Sequence, residues 1–154
     1  FRKRNFQKAL YYIEKALNID NENVLYWQRY AKINKQLNLF EEAEHGFRRS
    51  IELGNYEMDT WISRCDILLQ LGEYDAAINN LLQAKEFYPE NAEIEYRLAG
   101  LYYTVLEPNK GVFHLKNALN LDEEYSLIIE ELFPSVFKNK SVKQLIVNHQ
   151  KPSV

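Results

Sequence analysis

Apolar and small residues recur along this chain at a fixed step of 34 positions. Trp27 and Trp61 stand one step apart. The same step links Ala9, Ala43, Ala77 and Gly111, and then Ala16, Ser50, Ala84 and Ala118. It also aligns Ile13, Phe47, Leu81 and Leu115; Phe6, Phe40 and Tyr74; and Ala31, Cys65 and Ala99, with no insertion or deletion. A sustained period of this length marks stacked supersecondary units. Inside a unit the spacing is helical, because Ala77, Leu81 and Ala84 fall at i, i+4 and i+7 on one helix face. The pattern predicts two helices per unit: first helices over 24–37, 58–71 and 92–105, and second helices over 6–18, 40–52, 74–86 and 108–120.

The turns between paired helices have a chemical signature. Gly72 stands where a helix must end in left-handed geometry, and Asn38, in the same column, is the next best residue for that conformation. Leu106-Glu107-Pro108 breaks the pattern, which predicts a hairpin with a different turn, proline being tolerated in a first helical turn. The columns of Ala, Ser, Gly and Cys have a packing reason: small residues at a crossing let two backbones approach, while large residues opposite fill the space. Glu41, Glu42 and Glu44 open one second helix and Arg48 and Arg49 close it, each sign complementing the helix dipole.

Together these residues resemble the tetratricopeptide repeat, a helix-turn-helix unit stacked into a solenoid. The best unit carries Trp61, Cys65, Leu68, Gly72, Tyr74, Ala77, Leu81, Ala84 and Pro89 at signature places, and departs at Arg64, where leucine is usual. The unit at 24–57 has Asn55 instead of the closing proline, and the unit at 92–125 has Glu95 in place of tryptophan. The resemblance implies an all-α right-handed superhelix forming a single domain over residues 1–154. Residues 1–23 would be a partial repeat holding only a second helix, 24–57, 58–91 and 92–125 complete repeats, 126–149 capping helices and 150–154 a tail. Pro134 is expected to end the helix running through Ile129, Leu132 and Phe133. Ser141 is expected to cap a short helix holding Val142, Leu145 and Ile146, with Lys151 to Val154 frayed.

Composition removes several functions. The chain has 154 residues and a net charge of −3, without the basic excess that drives nucleic-acid binding. No apolar run reaches the ~18 residues of a membrane span, and a single cysteine, Cys65, permits no internal disulfide. A reducing, cytoplasmic setting is expected; beginning at Phe1, the chain reads as a piece of something longer. His45, His114 and His149 have no metal-ligand spacing and are read as surface histidines, and Cys65 falls in a packing column. Tyr30, Tyr74 and Tyr102 fall in columns that build the core. Asn139-Lys140-Ser141 is read as a chance match to the glycosylation pattern. Neither catalysis nor a metal or cofactor is expected.

What remains is a binding surface. In tetratricopeptide proteins the first helices line a concave face, and the resemblance places Arg29, Lys32 and Lys35, then Ile62 and Asp66, then Tyr96, Arg97 and Tyr103 on it. Tyr96 and Tyr103 share one helix face, with Gly100 between them leaving a hollow for a peptide side chain. Of the clamp that some family members use for a chaperone carboxylate, only Arg97 is in place, which disfavours that role. Arg29, Lys32 and Lys35 would attract an acidic peptide by Coulomb steering. The function expected is a non-catalytic scaffold for a protein or peptide. Two alternatives stand beside it. Self-association, as a homodimer, would use the open face of helix 6–18, where Phe6, Leu10, Ile13 and Leu17 are expected to be partly uncovered. The chain would otherwise be an accessory region of a longer enzyme or sensor.

Overall fold

The computed structural model describes residues 2–150, and the predicted helices are present among them. The helices are α1 (Arg2–Ile19), α2 (Val24–Gln36), α3 (Phe40–Glu52), α4 (Met58–Gln70), α5 (Tyr74–Phe87), α6 (Ala92–Thr104) and α7 (Pro108–Leu121). A 3-10 turn over Glu123–Ser126 leads into α8 (Leu127–Leu132), α9 (Pro134–Phe137) and α10 (Lys140–Gln150). No strand occurs among the described residues. Phe1 and the predicted frayed tail, Lys151 to Val154, lie outside them. The chain divides into two compact units, residues 1–73 and 74–154.

In the first unit α1 packs on α2, α2 on α3, and α3 on α4. Ala31, Ala43, Phe47 and Ile67 form its core, flanked by Phe40 and Leu71. The small residues set the helix separation. A Cβ at Gly46 would stand 2.8 Å from the Ala31 Cβ and 2.9 Å from its Cα, so α2 and α3 touch there nearly backbone to backbone. Both tryptophans anchor the chain that precedes their own helix: Trp27 Nε1 donates to the Asn21 carbonyl at 2.7 Å, and Trp61 Nε1 to the Tyr56 carbonyl at 3.2 Å. Asn55, standing where the family has proline, is buried, and its amide donates to Ser50 Oγ at 3.0 Å.

The three hairpin turns share one geometry. Asn38, Gly72 and Leu106 have φ of 59°, 70° and 63°. The next residue closes the helix each time: Leu39 N–H donates to Asn34 at 2.9 Å, Glu73 to Leu68 at 2.9 Å, and Glu107 to Tyr102 at 2.8 Å. The different turn predicted at Leu106 is therefore not found. Closing α6 with this bond requires a left-handed residue at position 106, and leucine is held there against its preference. Pro108 opens α7 as predicted.

In the second unit α5 packs on α6 and α6 on α7, over fully buried Ile94, Leu98, Leu101 and Leu115. α10 lies on α7 and α9 through buried Val142 and Ile146. Its cap is Asn139, not Ser141: Asn139 Oδ1 accepts from the N–H groups of Ser141 at 2.9 Å and Val142 at 3.3 Å. A second correction concerns Tyr74, which is 39% exposed, at the start of α5, rather than in the core.

Candidate functional site

The predicted binding residues separate into four settings. On the first unit, Lys32 and Lys35 border one depression with Gln36, Asp59 and Ser63, whose floor is Phe6, Ile33 and Phe47. The helical spacing of α2 turns Lys32, Lys35 and Gln36 to this side, and α4 supplies Asp59 and Ser63. Lys32 Nζ lies 3.9 Å from Asp59 Oδ2, with both side chains more than half exposed, a contact that water and salt screen. An adjoining depression is lined by Arg2, Lys3, Phe6, Gln36, Leu37 and Asn38. The two share Phe6 and Gln36, so four cations (Arg2, Lys3, Lys32 and Lys35) border a continuous, partly apolar surface.

Arg29 faces elsewhere. It lines a groove with Ala9, Tyr12, Ile13 and Ala16 of α1 and Tyr26 and Ile33 of α2. Ile62 and Asp66 are half-buried on α4. The sequence reading missed Arg2, Lys3 and Phe6. Phe6 was expected in a packing column and on the open face of helix 6–18, not at this surface. The basic residues lie before the first column of the repeat, yet they carry a signal of their own: three cations in the first turn of a helix, where the dipole disfavours them.

The aromatic part of the predicted groove is a correction. Tyr96 is fully buried, and its hydroxyl donates to the Asp122 carbonyl at 2.6 Å. Burial, reinforced by the charges of Asp122 and Glu123, pushes this phenol well above its ordinary pKa. Arg97 is also buried, 3.9 Å from Glu93. Tyr103 turns toward α7, where its ring rests on Gly111, and burial raises its pKa. The hollow at Gly100 is filled by the ring of Phe133, which occupies the place of a Cβ. The physical reason is the cap: residues beyond α7 fold back over α6 and cover its apolar side chains.

His114 is a further correction, being buried instead of on the surface. Its Nδ1 lies 2.6 Å from Glu95 Oε2, and its ring stacks on Tyr102 with centroids 5.3 Å apart. Lys85 Nζ lies 2.7 Å from the other Glu95 oxygen. Desolvation alone would raise the Glu95 pKa, but the hydrogen bonds and charges of His114 and Lys85 together hold it below the ordinary carboxylate value. His149 meets Glu123 at 2.9 Å and Asn120 at 3.1 Å, fastening α10 to the last turn of α7 and to the 3-10 turn that follows. Cys65 is buried. Of the stripe expected to lie partly open on α1, Phe6 and Leu10 are half-buried as expected, but Ile13 and Leu17 are buried, and Tyr11 and Tyr12 are exposed.

Among the described residues no group of His, Cys, Asp or Glu is placed to hold a metal, and no helix is long and apolar enough to cross a membrane.

Comparison with known proteins follows the repeat. The family model described as the TPR repeat matches residues 66–105. No curated protein sequence matches the chain. Solved structures do. MamA superposes with a TM-score of 0.75 at 18% identity, over 96% of this chain and 86% of its own. A MamA RS-1 double mutant gives 0.71 at 16% identity, over 94% and 83%. YrrB, described as a TPR protein with an unusual peptide-binding site, gives 0.70 at 14% identity, over 96% and 79%. At identities this low the superpositions show the fold alone.

Proposed function

Since the chain is a tetratricopeptide repeat protein in its matched segment and in its fold, we propose that it is a non-catalytic scaffold that binds an acidic protein segment on the first unit. The observation that carries this is the surface bordered by Arg2, Lys3, Lys32 and Lys35 over Phe6 and Ile33. Four cations around an apolar floor suit a segment in which carboxylates flank one large side chain. Charge would steer the encounter, and the apolar contact would supply the part of the affinity that salt does not remove. The peptide-binding site named for YrrB supports a peptide as the kind of ligand. The eight residues first placed on the concave face reduce, in this reading, to Lys32 and Lys35. The test is selection of a displayed random peptide library on the chain, repeated with Lys32→Glu and Lys35→Glu together. Acidic sequences should be enriched on the first chain and lost on the second, with helical content unchanged. Enrichment that ignores the two reversals would reject the reading.

A second reading, homodimer formation, is favoured by α1. Ala9 and Ala16 are only half-buried, whereas their column mates Ala43, Ser50, Ala77, Ala84, Gly111 and Ala118 are buried. A groove over Ala9, Ile13 and Ala16 runs between α1 and α2, bounded by Tyr26, Arg29 and Ile33. Light scattering across a hundredfold range of concentration decides it. A mass that stays that of one chain removes the dimer.

A further inference from the structure

The depression on the first unit has an apolar floor, Phe6 and Ile33, inside a border of Arg2, Lys3, Lys32 and Lys35. An occupant that matches it must carry one apolar side chain among carboxylates. The chain itself holds such a stretch. Residues 2–35 contain eight basic and three acidic side chains, whereas residues 122–131 contain five acidic and no basic ones, so two copies can offer each other opposite charge.

The acidic stretch is held in a fixed shape. The 3-10 turn over Glu123–Ser126 runs directly into α8, which packs on α6 with Ile128 and Ile129 buried. Packing that side inward turns the other outward, and on it Leu127 stands 68% exposed. Glu124 lies three positions before Leu127, and Glu130 and Glu131 three and four after it, spacings that gather all three around the leucine. The three glutamates are exposed, and no cation pairs with them among the described residues. Asp122 and Glu123 have local partners: Asp122 Oδ1 accepts from the Glu124 N–H at 3.1 Å, and Glu123 meets His149.

We propose that the ligand of the first-unit surface is a second copy of this chain, whose Leu127 lies over Phe6 and Ile33 while Glu124, Glu130 and Glu131 face the four cations. This rests on the reading of that surface given above and names its partner. Asp59, the carboxylate bordering the depression, gives up Lys32 from a contact that water already weakens. The contact is heterologous, since each copy contributes a different face, and it is separate from a homodimer over Ala9 and Ala16. A single helical turn covers little area, which makes the association weak, and its charges make it sensitive to salt.

The whole chain is followed by sedimentation equilibrium from ~10 μM to ~1 mM, the range of weak contacts. Its mass should rise above that of one copy, and should return to one copy when salt is raised from about 0.05 M to about 0.5 M. Leu127→Lys, and separately Lys32→Glu with Lys35→Glu, should each stay at one copy with helical content unchanged. Mixed in equal amounts, these two variants should pair to the mass of two copies, because one keeps the basic surface and the other keeps Leu127. Should Leu127→Lys lose helix by circular dichroism, Leu127→Ala takes its place. An unaltered chain that never exceeds one copy, association that ignores Leu127 or salt, or variants that do not pair on mixing each overturn the proposal. The peptide selection described above separates the two failures. Acidic peptides that bind a chain which never self-associates overturn this proposal alone, and selection that ignores Lys32 and Lys35 overturns both.

Discussion

The Lys85 ammonium stands 2.7 Å from the Glu95 carboxylate, at two positions the repeat reserves for apolar residues. Glu95 shares a column with Trp27 and Trp61, and Lys85 shares one with Leu17, Ile51 and Leu119. The departure from the repeat is thus a paired one, between α5 and α6. The same happens between α3 and α4, where Arg64 Nε lies 3.4 Å from Glu44 Oε2. The columns of these two residues hold Tyr30 and Leu98, and Leu10, Ile78 and Val112. At both junctions an ion pair replaces an apolar contact, and neither half makes sense without the other.

Removing one partner is therefore expected to cost more than removing both. Glu95→Ala leaves Lys85 and His114 facing an empty site and should destabilise the chain by about 2–4 kcal/mol. Lys85→Leu with Glu95→Trp, the residues of the neighbouring columns, should recover part of that loss, with a coupling above ~1 kcal/mol. Urea unfolding of the two single variants and the double variant measures it. Additive effects would contradict the pairing.

Acid should expose the same group. The Glu95 pKa lies lower in the folded chain than in the unfolded one, so its contribution is complete above the ordinary carboxylate value of about 4.3 and fades as pH falls through the folded value. Melting temperatures between pH 6 and 3 should drop less steeply for Glu95→Gln than for the unaltered chain, from a lower starting point. Parallel curves would remove Glu95 from the acid response.

Tyr96 predicts the opposite limb. Its raised pKa means the fold prefers the neutral hydroxyl, so this contribution is intact below about pH 10, where a free tyrosine ionises, and declines above it. Tyr96→Phe strands the Asp122 carbonyl and should cost about 1–2 kcal/mol at neutral pH. It should also flatten the alkaline fall in stability, read by denaturant titration at pH 8 and pH 11.

Leu106 offers a gain. It is exposed, with φ of 63°, in the column where Gly72 stands, so its side chain contributes strain without burial. Leu106→Gly should stabilise the chain by about 1 kcal/mol, as relief of left-handed strain exceeds the added freedom of the unfolded chain. Asn38→Gly should do less, since asparagine tolerates that conformation. Thermal melts of the two variants compare them directly.

Much of the fold was legible because a 34-residue step repeats the same burial problem, and each repeat solves it alike. Trp61, Ala77, Leu81 and Ala84 are buried as their columns require. The proposed binding surface was less legible. Lys32 and Lys35, placed by the repeat on α2, line the depression of the first unit, but Tyr96 and Gly100 were read as open because the columns say nothing about what lies beyond the last repeat.

The sequence alone determined the helices, their pairing and the turns at Asn38 and Gly72, since these follow from periodicity and backbone preference within some forty residues; the turn at Leu106 it did not. Tertiary structure alone decided that Phe133 fills the space above Gly100, that Glu95 is neutralised by Lys85 and His114, and that Arg2 and Lys3 join Lys32 and Lys35. These contacts link residues outside the repeat to residues inside it, or substitute one column for another. No local spacing encodes them, because they depend on which surfaces meet once the helices have packed.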